Sequence, residues 1–279
     1  MKIIIDENRK FGIEIEFTMP HRAQTLATRL GTVGITCVPE SYNHRLRSYW
    51  KIVTDGSLNA ASGYRALELV SPPLKGRDGL AQLEAVCGVL NELDAKINRS
   101  CGLHVHHDAA DFDMDAWRTV VKTYVKYEHI IDMLMPPSRR ANVNGYCHSL
   151  RGTWSGGYTR EALWPKIEAA NTVWQLCQIF NTRFIKLNLE SFNVHNTVEF
   201  RQHAGTTNFT KIAAWVALTQ GIVTRARAHR LIRLRATDKP FDSLMRSVGA
   251  TPHVWNYYRE RYMENGGELL LAAKMEWND

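Results

Sequence analysis

Four segments of the chain carry acidic, histidine or arginine side chains at alternate positions. They are FGIEIEF at 11–17, ALELVSP at 66–72, GLHVHHD at 102–108 and TVEFRQH at 197–203. Apolar residues hold the positions between them, a pattern typical of a β-strand with one buried face. Side chains two positions apart on a strand point to the same side. The sequence therefore predicts a sheet whose second face is lined by chemically active side chains.

Pairs of such side chains recur on the predicted face. Glu14 and Glu16 share one side of the first strand, where two carboxylates about 7 Å apart repel each other by roughly 2 kcal/mol. The same spacing pairs His104 with His106 and Glu199 with Arg201. Each pair alone has an ordinary explanation, as solvated glutamates, structural histidines or an exposed ion pair. Their recurrence in four segments favours one common site.

These carboxylates and imidazoles form a donor set for a hard divalent metal. Glu68 adds a further carboxylate, just before the turn that begins at Ser71-Pro72-Pro73. Oxygen-rich ligation with histidine suits Mg²⁺ or Mn²⁺ better than structural zinc. Such metals beside arginine are commonly used to handle phosphate. The sequence has neither a Walker A loop nor a glycine-rich dinucleotide turn, so any ATP would be held by a metal-lined sheet.

Composition predicts a soluble protein whose length lies between one large α/β domain and two small ones, and we favour a single domain over residues 1–279. The chain has 279 residues, 44% of them hydrophobic, and its apolar runs are shorter than the ~20 residues of a membrane helix. MKIIIDENRK lacks a signal-peptide core, so we expect a cytoplasmic location. The five cysteines form no C-x-x-C pair, which favours buried free thiols. The net charge of +7 suits anionic partners.

Hydrophobic periodicity predicts a mixture of strands and helices. The predicted strands lie at 10–18, 34–38, 48–54, 65–71, 102–107, 183–191 and 196–203. The predicted helices lie near 21–30, 77–97, 113–134, 160–180 and 208–230, with a helical tail over about 238–279. Asp113 is a candidate N-cap, 138–158 a loop, and Asn193 to Asn196 a hairpin turn. This order indicates an α+β sheet with helices on its outer face.

In their order along the chain, these motifs resemble the putative amidoligase family, in the superfamily of glutamine synthetase and glutamate–cysteine ligase. The resemblance covers FGIEIEF, WKIVTDGSL with LELVSPPL, CGLHVHHD, PSRRANVNGYC and RFIKLNLESFNVHNTVEFRQHAGT, over most of residues 11–206. It implies a glutamine-synthetase-like, curved and mainly antiparallel sheet. It also implies an ATP-dependent carboxylate–amine ligase, in which a substrate carboxylate takes the γ-phosphate and an amine then displaces phosphate to form an amide.

The resemblance also implies roles for individual residues. The implied metal ligands are Glu14, Glu16, Glu68, His104 and Glu199, with His106 as a further candidate. Arg201 would stabilise the γ-phosphoryl group during transfer, and Arg139 and Arg140 would contact ATP phosphates. The implied substrate or nucleotide residues are Asp55, Ser57 and Arg183. An ordinary turn at Asp55-Gly56 and a solvated helix start at Ser138 remain alternatives.

One departure limits the resemblance. Glutamine synthetase carries an N-terminal β-grasp domain that helps complete a neighbouring subunit's active site, whereas here the first site strand begins by residue 11. We therefore do not expect a glutamine synthetase, and the resemblance does not carry ring assembly over to this chain. The acid and the amine stay open among small-molecule, peptide and protein-bound substrates. Trp154, Gly156, Gly157 and Tyr158 are candidates for shaping that choice.

Two other functions fit parts of the sequence. A metal-dependent hydrolase could use the same carboxylates to activate water. A nucleic-acid-binding protein would fit pI 9.2 and the arginines of TRARAHRLIRLRATDK at 224–239, but these surround the predicted helix rather than forming one stripe. A catalytically dead relative is disfavoured, because every acidic position of the motif pattern is filled. We therefore expect ATP, an acid and an amine as partners, with no membrane and no nucleic acid.

Overall fold

A computed structural model of the chain describes residues 3–153, 156–232 and 239–267. The strands are β1 (Lys10–Met19), β2 (Cys37–Pro39), β3 (Trp50–Thr54), β4 (Arg65–Val70), β5 (Leu74–Lys75), β6 (Gly102–Asp108), β7 (Gly152–Thr153), β8 (Gly156–Gly157), β9 (Leu187–Asn188) and β10 (Thr197–Ala204). The helices are α1 (Ala23–Gly31), α2 (Gly76–Glu92), α3 (Met114–Asp132), α4 (Arg160–Ala169), α5 (Val173–Phe180), α6 (Ser191–His195), α7 (Phe209–Arg227), α8 (Pro240–Ser247) and α9 (Pro252–Glu264).

The order of these elements follows the prediction, but some boundaries differ. Helix α2 ends at Glu92 rather than near residue 97, and Asp94 adopts a left-handed backbone with φ of 58°. The next residues pair with β1 instead, because Lys96 N–H donates to the Thr18 carbonyl at 2.7 Å and Thr18 N–H donates back at 2.9 Å. The segment after α2 therefore pairs with β1 instead of extending the helix.

The hairpin turn predicted from Asn193 to Asn196 is wrong. Helix α6 occupies this connection, and Asn196 ends it in the left-handed conformation with φ of 55°. Strands β9 and β10 still pair antiparallel, with Asn188 opposite Glu199. Strand β9 is also far shorter than the predicted 183–191, because Lys186 N–H donates to the carbonyl of His148 outside this strand pair. The predicted loop 138–158 contains the short β7–β8 hairpin.

The chain divides into two compact units. The sheet unit comprises Ile5–Asp108 and His203–Val216, and the helical unit comprises Met1–Ile4, Ala109–Gln202 and Ala217–Asp279. The single catalytic domain expected over residues 1–279 stays a prediction. The predicted helical tail contains α8 and α9, which are separated by the non-helical residues 248–251, while residues 238 and 268–279 of its predicted span lie outside the described residues.

The strands of the sheet unit are hydrogen-bonded in the order β2–β3–β4–β1–β6, with β5 beside the start of β1. Strand β2 runs parallel to β3, and the other pairs are antiparallel. One face of this sheet is apolar and almost fully buried; it includes Phe11, Ile13, Ile15, Phe17, Leu67, Leu69, Leu103 and Val105. Helix α2 packs there, since a Cβ on Gly79 would lie 3.2 Å from the Phe11 ring. The opposite face carries the polar rows.

The helical unit is organised around α3, which is buried along most of its length. Asp113 caps its N-terminus as predicted, accepting a hydrogen bond from Ala116 N–H at 2.9 Å. Side chains of α9, and of the residue after it, donate to carbonyls just beyond the C-terminal end of α3. Arg261 donates to the Leu134 carbonyl at 2.9 Å, and Asn265 donates to the Met133 carbonyl at 2.8 Å. Helix α3 is therefore a fixed platform within this unit.

The α+β class and the mainly antiparallel strand pairing are confirmed by these two units. All five cysteines carry free thiols, and four of them are buried. Within the described residues, none of the helices combines the length and apolar character that crossing a bilayer requires.

Candidate functional site

The polar face of the sheet unit brings the predicted metal ligands of β1, β4 and β6 together. Glu14 lies opposite His104 on β6, and Glu16 lies opposite Glu68 on β4. Directly opposed residues of antiparallel strands share a face and have Cβ atoms about 5 Å apart. His106 follows two positions after His104 and so points to the same side. We refer to Glu14, Glu16, Asp55, Glu68, His104 and His106 as the acidic cluster.

Distances within the acidic cluster place His104 between two glutamates. Its Nδ1 lies 2.9 Å from a Glu14 carboxylate oxygen, and its Nε2 lies 3.5 Å from a Glu16 oxygen. His106 Nε2 lies 3.4 Å from the second oxygen of Glu14. Glu16 also accepts a hydrogen bond from the backbone N–H of Gly102. The carboxylates are therefore oriented by imidazoles and backbone rather than extended into solvent.

Two overlapping groups of these side chains could hold metal ions. Ligand atoms of Glu14, Glu68 and His104 lie within 4.8 Å of one another, as do those of Glu16, Asp55 and Glu68. Glu68 belongs to both groups. Two groups of mainly carboxylate oxygens with one imidazole match the preference of Mg²⁺ and Mn²⁺ for oxygen ligands. The donor set thus fits the metal that the sequence predicts.

Asp55 reaches the cluster from the loop after β3. Its Oδ1 accepts hydrogen bonds from the N–H and the hydroxyl of Ser57, at 2.8 and 2.7 Å. A second loop braces this one, because Asn59 N–H donates to the Ser100 hydroxyl at 2.9 Å and Asn98 donates to the Asn59 carbonyl. Asp55 and Ser57 were predicted to bind substrate or nucleotide. The structure brings Asp55 close to the carboxylates and places the exposed Ser57 next to it.

The surroundings of Glu14 favour its charged form. Burial raises the pKa of Glu14, but His106 and His104 outweigh this effect and hold that pKa well below its usual range. Lys51 on β3 lies close enough for its pKa to respond to Glu14 and Glu68, although burial lowers that pKa overall. The Lys51 ammonium donates to oxygens of the 43–45 loop, which limits what it can neutralise in the cluster.

In the helical unit, Glu199 and Arg201 on β10 form a close pair. Arg201 donates to Glu199 Oε1 at 2.6 Å, and Asn188 on β9 donates to Glu199 Oε2 at 2.6 Å. Glu199 is only 3% exposed, so both of its oxygens are held in place. A buried, doubly hydrogen-bonded carboxylate can orient the guanidinium of Arg201 far more firmly than an exposed ion pair could.

Arg201 is further positioned by the 146–184 region. Its Nε donates to the Tyr146 carbonyl at 3.4 Å, and its guanidinium lies 6.0 Å from the centre of the Phe184 ring. Arg183, a predicted substrate or nucleotide residue, lies 5.1 Å from the centre of the same ring. Two arginines therefore share one aromatic side chain, which concentrates positive charge beside Glu199.

The two predicted phosphate contacts, Arg139 and Arg140, lie in the segment 138–150, which we call the basic loop, and have different surroundings. Arg139 is 3% exposed, and its guanidinium lies beside the Cys147 sulfur at 4.0 Å. Arg140 is half-buried, and its Nε donates to the Met135 carbonyl at 2.9 Å. Within the helical unit these two guanidinium groups are therefore less accessible than that of the exposed Arg183. Their contact with ATP stays a prediction.

A buried charged cluster lies behind this loop, formed by Lys186, Glu128, Asp132 and Gln202. The Lys186 ammonium donates to Glu128 at 2.8 Å and to Asp132 at 2.6 Å, with no exposed side-chain surface. The second oxygen of Glu128 accepts from Leu150 N–H, and that of Asp132 accepts from Ala141 N–H, both at 2.9 Å. The cluster therefore holds both ends of the basic loop against α3.

The same cluster also reaches β10. Gln202 donates to Asp132 and accepts from the Tyr124 hydroxyl, while the Lys186 carbonyl accepts from Arg201 N–H at 2.9 Å. Burial raises the pKa of Asp132 despite the attraction of Lys186. The backbone of Arg201 is thus held by the backbone of a residue in the buried charged cluster.

The candidates for shaping substrate choice, and the arginines of 224–239, lie partly outside the described residues. The Tyr158 hydroxyl donates to the Ile179 carbonyl at 2.7 Å, Gly156 and Gly157 form β8, and Trp154 lies outside the described residues. Of the arginines that could suggest nucleic-acid binding, Arg225 donates to the Ser247 carbonyl and Arg227 pairs with Asp111. Arg233 and Arg235 lie outside the described residues.

Sequence reasoning missed several residues that organise these sites. Lys51 occupies an alternate position of WKIVT, so strand periodicity places it on the face of Glu14. Glu128 and Asp132 are four residues apart on an apolar helix, a spacing that could have identified a buried acidic pair. Asn188 has no comparable signal, because its contact with Glu199 depends on strand register.

Comparison with known proteins adds one match. The model of the family described as putative amidoligase enzymes matches residues 7–223, a span that includes every predicted site residue. No curated protein sequence matches the chain.

Proposed function

Because the chain belongs to the putative amidoligase family, we propose that it is an ATP-dependent carboxylate–amine ligase that forms an amide through an acyl phosphate. The observation that carries this proposal is the acidic cluster, with its two overlapping ligand groups around Glu68. The proposal includes Mg²⁺ or Mn²⁺ as the metal, a glutamine-synthetase-like curved sheet, and a cytoplasmic location where ATP is abundant.

The acidic cluster would hold the metal. Its ligands would be Glu14, Glu68 and His104 in one group and Glu16, Asp55 and Glu68 in the other, with His106 as a further candidate. Glu199 is included as a ligand on the family resemblance alone. A hard divalent cation supplies charge neutralisation for phosphate oxygens. The carboxylates would give the cluster affinity for a divalent cation, because without a cation the close negative charges of Glu16, Asp55 and Glu68 repel each other.

Arginine side chains would stabilise the charge that develops during phosphoryl transfer. Arg201, fixed by Glu199 and Tyr146, would stabilise charge on the γ-phosphoryl group as it passes to the substrate carboxylate. Arg183, Arg139 and Arg140 would contribute nucleotide or substrate contacts. A planar guanidinium can bind two phosphoryl oxygens at once, which favours arginine for this role.

The proposed reaction balances without a further reagent. A carboxylate oxygen of the acid attacks the γ-phosphorus, ADP leaves, and an acyl phosphate forms. The nitrogen of the amine then attacks the acyl carbon, loses a proton, and expels inorganic phosphate. One amide, one ADP and one phosphate result from each cycle. A hydrolase would need none of the nucleotide.

ADP release in the presence of Mg²⁺ tests the proposal. ATP is supplied with a panel of carboxylic acids crossed with a panel of amines, including ammonia, amino acids, polyamines and short peptides. For an active pair, an ¹⁸O label in the acid carboxylate should appear in inorganic phosphate, with one amide formed for each ADP. AMP with pyrophosphate would indicate an adenylate instead, and turnover without nucleotide would indicate the hydrolase; either result contradicts the mechanism.

Nucleic-acid binding is separated from this proposal by salt dependence. A protein that binds through phosphate contacts loses affinity steeply as salt concentration rises. Steeply salt-dependent binding to a duplex or single strand, together with no ADP release across the panel, would favour that function.

A further inference from the structure

A solvent-open groove of about 520 Å³ lies in the sheet unit, formed by the end of β2 and the loop 40–49. Its lining residues are Val38, Glu40, Ser41, Tyr42, Asn43, Arg45, Arg47 and Tyr49. This volume lies within the range of about 300–1,000 Å³ that is typical of ligand-binding clefts. The sequence motifs do not identify the groove, because none of its residues belongs to the alternating strand pattern.

Glu40 organises one side of the groove. Its carboxylate accepts two hydrogen bonds from Arg47 at 2.8 Å each, one from Tyr49 at 2.9 Å and one from Asn43 at 2.9 Å. The hydrogen bonds from Arg47, opposed by partial burial, lower the pKa of Glu40 to about 2. The loop is therefore ordered around a carboxylate that stays ionised at neutral pH, and Arg47 is already committed to it.

Lys51 organises the other side and connects the groove to the acidic cluster. Its ammonium donates to the Asn43 carbonyl at 2.8 Å, the Asn43 side-chain oxygen at 3.1 Å and the Arg45 carbonyl at 3.0 Å. Lys51 lies on β3 opposite Val70, whose other neighbour on β1 is Glu14. One lysine side chain thus joins the loop backbone to the strand face that carries the metal-ligand candidates.

The groove presents an available cation beside apolar surface. The backbone of Arg45 is fixed, since its N–H donates to Asn43 Oδ1 at 2.9 Å and its carbonyl accepts from Lys51. Its guanidinium is exposed, and no ion pair to it occurs among the described residues of the sheet unit. Tyr42 and Val38, which also line the groove, are 55% and 37% exposed. A groove with a fixed loop and exposed Arg, Tyr and Val side chains is suited to binding a ligand.

We infer that this groove binds the acid substrate as a short acidic peptide or peptide-like chain, with Arg45 pairing with an anionic group away from the carboxylate that reacts. The inference rests on the proposed ligase function. A cationic groove attracts the acid and repels a protonated amine, so the groove discriminates between the two substrates. The extent of the groove and its apolar rim favour a chain over a single small acid.

Isothermal titration calorimetry of the full-length protein tests the groove in the absence of ATP. The probes are acetyl-leucyl-glutamyl-glutamate, its neutral glutamine analogue with an amidated end, and glutarate. The variants are Arg45→Gln and Tyr42→Ala, with Arg22→Gln as a matched control on an exposed arginine of the same unit. Circular dichroism establishes that each variant is folded.

We expect the acidic peptide to bind wild type and Arg22→Gln equally. Arg45→Gln should weaken binding about tenfold, the size of one charge-assisted hydrogen bond. Tyr42→Ala should weaken it less, and added salt should weaken it in wild type. Equal affinity in Arg45→Gln, no saturable binding to wild type, or equally tight binding of the neutral peptide would overturn the inference. Glutarate binding as tightly as the peptide would overturn the assignment to a chain.

The same variants separate this inference from the proposed function. Under turnover with ATP and the acidic peptide, Arg45→Gln should raise the KM for the peptide about tenfold. Peptide binding that depends on Arg45, with no ADP release for any acid and amine, would contradict the ligase alone. ADP release with an unchanged peptide KM in Arg45→Gln would contradict the groove alone.

Discussion

The acidic cluster and the buried charged cluster both gather ionisable side chains from distant parts of the chain, but their charge balance differs. The acidic cluster combines four carboxylates with two imidazoles, and Glu14 retains 24% of its side-chain exposure. The buried cluster sets Lys186 against Glu128 and Asp132, with side-chain exposures of 0%, 3% and 11%. Its hydrogen bonds are made within the protein, to the loop and to β10.

The charge balance of a cluster indicates whether it binds a cation. An accessible surplus of carboxylates can bind a cation from solution, whereas the buried cluster already contains a cation, the ammonium of Lys186. We therefore expect mutations in the first cluster to change binding and mutations in the second to change stability. The following predictions test that division in order of decreasing effect.

The largest effect is expected from Lys186→Met. Removing the ammonium leaves Glu128 and Asp132 buried without their counter-ion, which typically costs about 3–5 kcal/mol in the free energy of unfolding. Urea denaturation followed by circular dichroism measures this loss. Lys166→Met is the matched control, because Lys166 is exposed and should change stability by well under 1 kcal/mol. Similar stabilities for the two variants would contradict a structural role for the buried cluster.

Arg201→Lys tests the part of β10 that the buried cluster supports. An ammonium cannot reproduce the planar contact with two phosphoryl oxygens, so turnover should fall by the equivalent of ~2–4 kcal/mol. The KM for ATP should change much less. Steady-state ADP release measures both quantities.

Arg227→Lys is the control for this substitution, because Arg227 forms an exposed ion pair with Asp111 in the same unit. Its kinetics should match those of wild type. If Arg201→Lys also matches wild type, Arg201 is only the ion-pair partner of Glu199.

Glu14→Gln should change metal binding rather than folding. The loss of one ligand charge is expected to weaken Mg²⁺ or Mn²⁺ binding about 10–100-fold and to lower activity accordingly. At neutral pH without metal, the unfolding free energy should fall by about 1 kcal/mol or less, because the lost contacts with His104 and His106 are partly offset by relief of the repulsion from Glu16 and Glu68. Calorimetric titration with Mn²⁺ and urea denaturation measure the two effects.

Glu92→Gln gives the comparison for Glu14→Gln, since Glu92 forms an exposed ion pair with Arg29 in the same unit. It should leave Mn²⁺ affinity unchanged. Glu199→Gln should remove activity in the proposed mechanism while leaving the protein folded. Full activity in either Glu14→Gln or Glu199→Gln, with unchanged circular dichroism, would show that the ligand assignment is wrong.

The smallest effect is an opposite pH dependence in the two clusters. The pKa of Glu14 is lowered in the folded protein, so its contribution to stability is present above about pH 4.5 and is lost as the pH falls through the folded pKa. The pKa of Asp132 is raised, so its contribution is present below about pH 3.8 and is lost as the pH rises through its folded pKa. Each slope is at most about 1.4 kcal/mol per pH unit.

Metal-free wild type, Glu14→Gln and Asp132→Asn are compared by urea denaturation from about pH 3 to pH 7. The stability that wild type gains over Glu14→Gln should shrink on acidification. The stability that wild type gains over Asp132→Asn should shrink on raising the pH. Slopes of the same sign would show that the clusters do not differ in charge balance as described.

Strand periodicity was sufficient to find much of the acidic cluster. The spacing of Glu14 with Glu16 and of His104 with His106 reports which side chains share a strand face, because alternation is a local property of extended backbone. The same reasoning predicted β1 and β6 within two residues at each end. The cap at Asp113 was equally local, since one side chain binds a backbone N–H three positions away.

Longer-range partners were not predictable in this way. The hairpin turn between β9 and β10 was wrong because a short helix can join antiparallel strands as well as a turn can, and residues 191–196 show no strong preference in isolation. The sequence predicts Lys186 only as part of a strand, although Lys186 pairs with Glu128 and Asp132 more than fifty residues earlier. The residues next to Lys186 in the sequence do not indicate that pairing.

Residue types and local periodicity were enough to identify the strand faces, the family and the chemical character of the metal-ligand candidates. The folded chain was needed to show that Asp55 joins Glu16 and Glu68, that Lys51 fastens the groove loop, and that Lys186 is buried against two acids. The physical reason is that backbone periodicity arises within a few residues, whereas these contacts depend on strand register and on packing between segments far apart in the chain.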